Sequence, residues 1–320
     1  MTAPFPWFGG KSRVAGVTWD RFGDVDNYVE PFFGSGAVLL GRPHEPRVET
    51  VNDADCYLAN FWRALTADPE AVAQWADWPV NEADLEARHL WLVNRVEFRE
   101  RMKADPDYHD AKIAGWWVWG IGQWIGGGWC SGDPAHQRPH LGDAGMGVHR
   151  KLPQLGDAGR GVHVNRSADL RAYFAALAAR LRRVRVCCGD WSRILGPSPT
   201  VKLGTTGVFL DPPYSAEAGR DMNIYREDSG DVAHAVREWA LANGDNPELR
   251  IALCGYAGEH AMLPEWECFA WKAHGGYAQL GDGQGKENAR RERIWFSPHC
   301  LSEPLFRGLR QERGLPGVTL

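Results

Sequence analysis

The sequence predicts a doubly wound α/β domain with an inserted region, because strand-like and helix-like segments alternate at both ends of the chain but not in its middle. Near the N-terminus, residues 25–33 and 48–51 have patterns typical of strands, and residues 37–40 and 57–65 have patterns typical of helices. This order predicts a parallel sheet covered by helices on both faces. The 320 residues suffice for such a domain with a substantial core.

The alternation resumes in the second half of the chain. The patterns there predict a helix over 167–183, a strand over 184–188, a strand that ends at Asp211, a helix over 231–242, and strands over 250–254 and 293–296. We therefore expect one domain formed by residues 1–66 and 166–320, and an inserted, largely helical and loop-rich region over residues 67–165.

The inserted region has an unusual composition. A charged, helix-like pattern at 82–104 precedes a cluster of tryptophans, and LGDAGMGVH at 141–149 is echoed by LGDAGRGVH at 155–163. Two copies are too few for a solenoid, so we interpret them as a pair of similar loops or a hairpin. Tryptophan is mostly buried on average, which favours a core role for the cluster over a platform for nucleic-acid bases. The cluster comprises Trp116, Trp117, Trp119, Trp124 and Trp129.

Bulk properties exclude several classes of protein. The chain has no run of eighteen apolar residues and no signal-peptide pattern at its N-terminus, so we expect a soluble, cytoplasmic protein without a membrane partner. Its seven cysteines are an odd number, include the adjacent pair Cys187 and Cys188, and contain no C-x-x-C motif. Reduced and mostly buried thiols are therefore expected.

By residue type, Cys130 and the histidines at 136, 140, 149 and 163 are candidate zinc ligands. Their spacings match no usual Cys/His ligand pairing, so no metal site is expected.

The net charge of −5 hides a strongly basic segment. Residues 150–193 contain ten Lys or Arg against three acids, a local charge of +7, and a second basic cluster covers 286–293. Residues 180–185 are most simply interpreted as the solvated face of a helix. The basic segment 150–193 as a whole is compatible with contacts to phosphates. The candidates for such contacts are Arg150, Lys151, Arg160, Arg166, Lys286, Arg290 and Arg291.

The most informative motif is Asp211-Pro212-Pro213-Tyr214, which follows the apolar run 206–210. Prolines cannot donate to a sheet ladder, so the strand must end there. The Asp211 carboxylate and the Pro212 carbonyl could accept both hydrogens of one amino group while Tyr214 stacks on the ring that carries it. The alternative is an acidic residue and a Pro-Pro turn that merely close the strand.

A second motif places Gly34-Ser35-Gly36 where the first strand turns into the first helix. Glycines there permit a tight turn and let a ligand approach backbone N–H groups. Asp53, after the second strand, is suited to accept the hydroxyls of a ribose, and Asp190, after residues 184–188, is suited to accept an adenine amino group. Each aspartate could instead be a helix N-cap or turn residue.

Together these motifs resemble a known family. The order of FPWFGGK at 5–11, PFFGSG at 31–36, Asn52-Asp53, Gly189-Asp190-Trp191 and Asp211-Pro212-Pro213-Tyr214 is that of Dam-type (alpha-class) DNA adenine methyltransferases, and the resemblance covers residues 4–66 and 167–225. It implies a Rossmann-like, S-adenosylmethionine-dependent methyltransferase sheet in which the insertion recognises the target. It also implies DNA as partner and the cytoplasm of a bacterial or phage-infected cell.

The resemblance further implies roles for individual residues. The residues that would hold S-adenosylmethionine are Trp7, Gly9, Lys11, Pro31, Phe32, Phe33, Gly34, Ser35, Gly36, Asp53, Asp190, Trp191 and Asp211. The catalytic residues would be Asp211, Pro212, Pro213 and Tyr214, which would hold a flipped adenine for methylation at its N6 amine.

Alternative functions remain open at the level of sequence. The same chemistry could act on the N4 amine of cytosine or on adenine in RNA, although Asp at position 211 rather than Asn favours adenine. A nucleic-acid-binding module without catalysis is a further alternative, and intact candidates for every cofactor role argue against it. The sequence leaves open the recognition motif, a restriction or defence partner and the oligomeric state.

Overall fold

The computed structural model describes residues 1–5, 7, 10–79, 82–105, 107–124, 129–130, 170–215, 231–272 and 290–302. The repeat at 141–163 and the candidate phosphate contacts Arg150, Lys151, Arg160, Arg166 and Lys286 lie outside these residues, as does Gly9.

A seven-stranded sheet organises the described part of the chain. Its strands are β1 (Asn27–Glu30), β2 (Val48–Asp53), β3 (Val184–Cys188), β4 (Thr206–Leu210), β5 (Leu249–Tyr256), β6 (Glu267–Ala270) and β7 (Glu292–Phe296). Their spatial order is β3-β2-β1-β4-β5-β7-β6. Pairing is parallel from β3 through β5, and β7 is antiparallel to both of its neighbours. The direction of winding reverses between β1 and β4, where ligands bind in doubly wound folds.

The described helices cover the sheet and extend beyond it. They are α1 (Ala15–Phe22), α2 (Ala37–Leu40), α3 (Cys56–Ala67), α4 (Pro69–Ala76), α5 (Glu82–Val93), α6 (Val96–Ala104), α7 (Ala111–Gln123), α8 (Leu170–Leu181) and α9 (Val232–Asn243). Helix α7 packs against α3, α4 and α5, and α4 also packs against α8. Helices from the region predicted as an insertion therefore pack directly on helices that flank the sheet. The division into domains stays a prediction.

The structure confirms the predicted α/β class and the position of each predicted strand. Strand β4 ends at Leu210, directly before Asp211-Pro212-Pro213, as the missing proline N–H groups require. The sequence interpretation missed β6 and did not identify α1, α4 or α7 as helices. Helix α7 is hard to recognise because its sequence AKIAGWWVWGIGQ is apolar around most of its circumference and contains three glycines.

One of those glycines explains how α7 approaches α4. A Cβ built on Gly115 would lie 2.4 Å from the Trp75 Cβ and 2.8 Å from the Val72 carbonyl oxygen, so only glycine fits at this contact. The side chain of Asp110 caps the helix by accepting a hydrogen bond from the Ile113 N–H at 2.9 Å.

Aromatic side chains join α7 to the rest of the core. Trp117 lies against Phe5, Trp7 and Phe61, with the Phe5 and Trp117 ring centroids 5.0 Å apart. Trp117 and Trp119 are fully buried, which confirms the core interpretation for both. Trp116 is only half-buried, so the core interpretation is incomplete for that residue.

The predicted solvated face at 180–185 needs a correction at Arg180. Its guanidinium forms two hydrogen bonds with the carboxylate of Glu49, at 2.6 and 2.8 Å, and Arg42 binds the same carboxylate at 3.1 Å. Glu49 is almost fully buried. Arg180 therefore neutralises a buried acid between the sheet and α8 and is neither a solvated residue nor a phosphate ligand. Arg182, Arg183 and Arg185 are exposed.

The expectation for the thiols is confirmed. All seven cysteines are free; five are buried, Cys187 is half-buried and Cys268 is exposed. Among the described residues, no helix is both long and apolar enough to cross a membrane.

Candidate active site

A cavity of about 280 Å³ lies at the carboxyl ends of β1 to β4, at the point where the winding reverses. Carboxyl ends of parallel strands meet at one edge of the sheet, which brings together motifs that are far apart in the chain. Of the predicted cofactor-binding residues, the structure places at this cavity Trp7, Lys11, Pro31, Phe32, Phe33, Gly34, Ser35, Asp53, Asp190, Trp191 and Asp211. Pro213 lines it too, whereas Gly36, Pro212 and Tyr214 do not.

The turn after β1 requires glycine at two positions. Gly34 and Gly36 have φ angles of 48° and 70°, which side chains other than glycine rarely adopt. A Cβ on Gly34 would lie 2.6 Å from the Trp7 indole, and one on Gly36 would lie 2.8 Å from the Phe33 ring. Gly36 therefore lies against the Phe33 ring and does not line the cavity, whereas Gly34 and Ser35 line it.

Asp53 and Asn52 connect three strand ends around the cavity. Asp53 accepts hydrogen bonds from the N–H groups of Gly34 at 3.1 Å and Asp55 at 2.9 Å. The Asn52 amide donates to the carbonyls of Pro31 at 3.1 Å and Gly189 at 3.0 Å. The predicted turn role of Asp53 is therefore present, and its carboxylate also lines the cavity, where it could accept further hydrogen bonds.

Asp190 begins a short 3₁₀-helix, Trp191–Ile194, at the far wall of the cavity. Its carboxylate accepts a hydrogen bond from the Ser192 N–H at 2.9 Å, so the predicted capping role is present, and the residue is exposed. Beside it, the rings of Phe32 and Trp191 stack with centroids 6.2 Å apart and an interplanar angle of 27°. Flat aromatic walls beside an exposed carboxylate suit a heterocycle that carries an amino group.

Asp211 lies at the opposite wall, directly after β4, and pairs with Lys11. The Lys11 Nζ is 2.9 Å from Asp211 Oδ1 and 4.0 Å from Glu292 Oε2. The side chains of Lys11 and Glu292 are 5% exposed and that of Asp211 is 20% exposed. One lysine thus lies between two carboxylates in a largely dry site, and Asp211 retains the greater access to the cavity.

Tyr214 is held by the same charged cluster. Its hydroxyl donates a hydrogen bond to Glu292 Oε2 at 2.8 Å and accepts one from Lys11 Nζ at 3.2 Å. The ring is 7% exposed and meets Tyr256 edge-to-face, with centroids 4.6 Å apart. The sequence predicts either stacking of Tyr214 on a target ring or a half-buried anchor for the turn, and the hydrogen bonds of its hydroxyl agree with the anchor.

Burial and charge together set the protonation of this cluster. Burial raises the pKa of Asp211, and the Lys11 ammonium opposes that rise. Burial likewise raises the pKa of Glu292 against the same lysine, and the nearby Asp211 charge adds to the rise. For Lys11, burial alone would lower the pKa, but the two carboxylates outweigh it and raise the pKa above the usual lysine value. Lys11 is therefore an ammonium ion at physiological pH.

A third buried carboxylate lies at the end of β1. Glu30 Oε2 accepts a hydrogen bond from the Tyr28 hydroxyl at 2.8 Å, and Glu30 lines the cavity. Burial raises the pKa of Glu30 well above the usual value, although the bond from Tyr28 opposes that rise.

The sequence interpretation missed two acidic residues that organise the site. Glu292, on β7, contacts both Lys11 and Tyr214. Glu259, after β5, accepts hydrogen bonds from the N–H groups of Ser215 at 2.6 Å and Tyr256 at 2.8 Å, so it ties the loop after Tyr214 to the neighbouring strand. A sequence signal for Glu292 is its position in the basic cluster 286–293, directly before the predicted strand 293–296.

Two of the predicted phosphate contacts are described. Arg290 is exposed, and the Arg291 guanidinium lies over the Tyr256 ring at 5.1 Å, near the start of β7. Tyr256 in turn contacts Tyr214, so Arg291 lies close to the Asp211 motif.

A metal centre is not supported by the described residues, which contain no group of three or more His, Cys, Asp or Glu suited to hold a metal ion. Of the ligands considered for zinc, only Cys130 is described. It is buried, and its backbone N–H points to His89 Nδ1 at 3.3 Å.

Comparison with known proteins supports the assignment suggested by the motifs. No match was found among curated proteins. A family model does match: residues 7–108, from Trp7 at the cavity to the segment after α6, fit D12 class N6 adenine-specific DNA methyltransferases. Such a family implies S-adenosylmethionine-dependent methylation of adenine in DNA. Residues 7–108 of this chain are thus similar to the D12 class of N6 adenine-specific DNA methyltransferases, a family of enzymes.

Proposed function

We propose that the protein transfers a methyl group from S-adenosylmethionine to the N6 amine of an adenine that has been turned out of the DNA helix into the cavity beside Asp211. The position of Asp211 carries this proposal. Its carboxylate follows β4 and lines the same cavity as the glycine turn, Asp53 and Asp190.

The cavity offers donors and acceptors that fit S-adenosylmethionine. The backbone turn at Gly34 and Ser35 would face the methionine end, Asp53 the ribose hydroxyls, and Asp190 with Phe32 and Trp191 the adenine. Trp7 and Lys11 would close the cavity from the N-terminal side. When bound, the sulfonium supplies an electrophilic methyl group.

Asp211 and Pro212 would activate the target amine. An adenine amine is a poor nucleophile because its lone pair is delocalised into the ring. The Asp211 carboxylate and the Pro212 carbonyl would accept both N–H hydrogens, which favours the tetrahedral nitrogen and stabilises the positive charge that develops on it. Pro212 is buried and does not line the cavity, so its carbonyl would reach the amine only if the loop after β4 shifts when DNA binds. Asp211 must be ionised for this role. The Lys11 ammonium at 2.9 Å favours the ionised form against the effect of burial.

Glu292 would hold this arrangement in place. It accepts the Tyr214 hydroxyl and lies 4.0 Å from Lys11, so it positions both partners of Asp211 without lining the cavity itself. Tyr214 is 7% exposed, so stacking of its ring on the flipped base requires that a ring face open when DNA binds. Extrusion of the base costs roughly a few kcal/mol, which aromatic stacking partly offsets.

The decisive experiment follows methyl transfer from labelled S-adenosylmethionine to unmethylated duplex DNA, with nucleoside mass spectrometry of the product. N6-methyladenine is expected with the wild type. N4-methylcytosine, or transfer to RNA only, would instead favour the corresponding alternative substrate. Wild-type protein that binds no S-adenosylmethionine would refute the proposed enzyme.

Asp211→Ala tests the residue assignment. We expect a loss of transfer of at least about 10²–10³-fold, the range seen when one pre-organised group for a developing charge is removed. Cofactor affinity, measured by calorimetry, should stay nearly intact. Asp107→Ala, at an exposed aspartate after α6, is the matched control and should transfer methyl groups normally. A folded Asp211→Ala protein that no longer binds the cofactor would contradict the role assigned to Asp211.

A further inference from the structure

A second cavity, of about 460 Å³, is lined by residues of α4, α5 and α7 and by Trp78, which follows α4. We call it the Trp cavity and define it by Trp75, Trp78, Arg88, Trp91 and Trp116, which line it. None of these residues lines the cavity beside Asp211. Trp75 is 37% exposed and Trp78 48% exposed, which is unusual for the largest apolar side chain. Large exposed aromatic surface of this kind marks sites of interaction.

The indoles form the walls of the Trp cavity and do not fill it. Trp116 meets Trp75 at 85° with ring centroids 6.0 Å apart, and it meets Trp91 at 69° with centroids 5.0 Å apart. Both contacts are edge-to-face, and the cavity of about 460 Å³ that these rings border is open beside them. A flat ring could enter this space and stack on an indole face.

Positive charge surrounds these walls. The Arg88 guanidinium lies 5.1 Å from the Trp78 ring and 4.9 Å from the Trp116 ring, and the Lys112 ammonium lies 5.1 Å from Trp75 and 4.4 Å from Trp116. Arg95 lies 3.8 Å from the ring of Trp91. Aromatic cages that contain no arginine or lysine of their own attract cationic ligands. Here protein cations already occupy ring faces, so a second cation is disfavoured and a neutral ring or an anionic group is favoured.

The carboxylate of Asp84 does not reverse the preference for a neutral or anionic group over a cation. Asp84 lines the Trp cavity, and its Oδ2 accepts a hydrogen bond from Trp78 Nε1 at 2.7 Å. Asp84 lies near Arg88, whereas Lys112 and Arg95 lie over the rings of Trp116 and Trp91.

Arg88 and Trp116, which line the Trp cavity, each have a hydrogen-bond donor that favours a ligand with acceptor atoms. Arg88 is 6% exposed, and its Nη1 is a buried atom without a hydrogen-bond partner among the described residues. The Nε1 atom of Trp116 is in the same situation. Buried polar groups are normally hydrogen-bonded, and an unpaired one destabilises the folded state. A ligand with oxygen or ring-nitrogen acceptors, placed where the side chains can adjust to it, would satisfy these donors.

From these features we propose that the Trp cavity binds one unstacked nucleobase of a DNA strand. The base would stack on an indole face, its ring acceptors would receive hydrogen bonds from Arg88, and the flanking phosphates would lie near Lys112 and Arg95. The inference rests on the proposed function, which makes DNA the substrate. It adds a separate contact, which holds a base other than the one that is methylated.

The test measures DNA binding by the full chain with fluorescence anisotropy, with a labelled single strand and with a labelled duplex that carries one unpaired base. The double variant Trp75→Ala/Trp78→Ala should weaken binding by roughly 5- to 150-fold, the equivalent of one lost stacking contact. Trp75→Phe/Trp78→Phe keeps aromatic faces at both positions and should retain most of the affinity. Leu263→Ala, at a residue that is 47% exposed near the other end of the chain, is the control and should bind as the wild type does.

A second readout separates insertion of a base from contact with phosphates. With 2-aminopurine as the unpaired base, the wild type should quench its fluorescence by stacking, and the Trp75→Ala/Trp78→Ala variant should not. Lys112→Gln should lower the salt dependence of binding by about 0.7–0.9 in the log–log slope, while the tryptophan variants leave that slope unchanged.

The outcomes distinguish this inference from the proposed function. Wild-type protein that transfers methyl groups, with tryptophan variants that bind DNA and quench 2-aminopurine as well as the wild type does, would overturn the Trp cavity alone. Tryptophan-dependent binding of RNA in preference to DNA of the same sequence would overturn the choice of DNA. A wild type that neither binds DNA nor methylates it would refute the proposed function first and remove the basis of the inference.

Discussion

Lys11 is the residue on which the charge balance of the candidate active site depends, and Lys11→Met is the sharpest way to test that balance. Methionine keeps a side chain of similar length and removes the charge. The variant leaves Asp211 and Glu292 as two buried carboxylates without the cation that now lies between them.

The magnitude follows from the two distances. Lys11 Nζ lies 2.9 Å from Asp211 and 4.0 Å from Glu292, and the lysine side chain is 5% exposed, so solvent screens these pairs only weakly. At 4 Å, one pair of unit charges is worth about 4 kcal/mol with an effective dielectric constant near 20. Removal of one partner from a buried ion pair typically costs about 3–5 kcal/mol. We therefore expect the free energy of unfolding at pH 8 to fall by about 3–5 kcal/mol.

The loss should shrink at lower pH. Burial already raises the pKa of Asp211 and of Glu292, and Lys11 opposes both rises. Without Lys11 the pKa values of Asp211 and Glu292 in the folded protein rise further. At pH values between the carboxyl pKa values of the unfolded chain and these raised values, the folded variant therefore binds more protons than the unfolded chain does. Within that window, stability increases as pH falls. The difference from the wild type should be smaller at pH 5 than at pH 8.

Urea denaturation followed by tryptophan fluorescence at both pH values measures these effects. Lys103→Met, at an exposed lysine on α6, is the control and should change the free energy of unfolding by no more than about 0.5 kcal/mol. The reasoning is refuted if Lys11→Met costs less than about 1 kcal/mol at pH 8, or if its cost is the same at both pH values.

Two further predictions concern stability and activity. Glu49→Ala should lower the free energy of unfolding by about 3–5 kcal/mol, because it leaves the buried Arg42 and the half-buried Arg180 without their shared carboxylate; a cost below about 1 kcal/mol in urea denaturation would contradict a buried pair. The rate constant kcat/KM for methyl transfer should fall with decreasing pH at values above the usual range for an aspartate, because burial raises the pKa of Asp211, which must be ionised to accept the amine hydrogens. A rate constant that stays level down to the usual aspartate pKa would argue against that requirement.

Much of the site could be predicted because its residues follow predicted strands. Asp53, Asp190 and Asp211 lie just after or at the ends of β2, β3 and β4, which are parallel neighbours of β1 or of each other. Once the strands are recognised as members of one parallel sheet, their carboxyl ends must share an edge. The glycine turn was predictable for a different reason, since Gly34 and Gly36 adopt φ angles that other residues avoid.

Other residues could not be assigned from the sequence because their partners are distant in the chain. Glu292 binds the Tyr214 hydroxyl across 78 positions, and Arg180 pairs with Glu49 across 131. A charged residue within a basic run is predicted to be exposed to solvent unless the partner that neutralises it is known. The Trp cavity depends on the same kind of information, because Trp75, Trp91 and Trp116 belong to three different helices.

The sequence by itself determined the class of fold, the order of the motifs and the chemical character of the cavity, because these depend on local conformation and on the common edge of parallel strands. The tertiary structure alone decided which charges are buried together. It placed Lys11 between Asp211 and Glu292, put Arg180 on Glu49, and left Trp75 and Trp78 open to solvent. Burial and pairing are properties of the packed elements, and a residue's own neighbours in the chain do not set them.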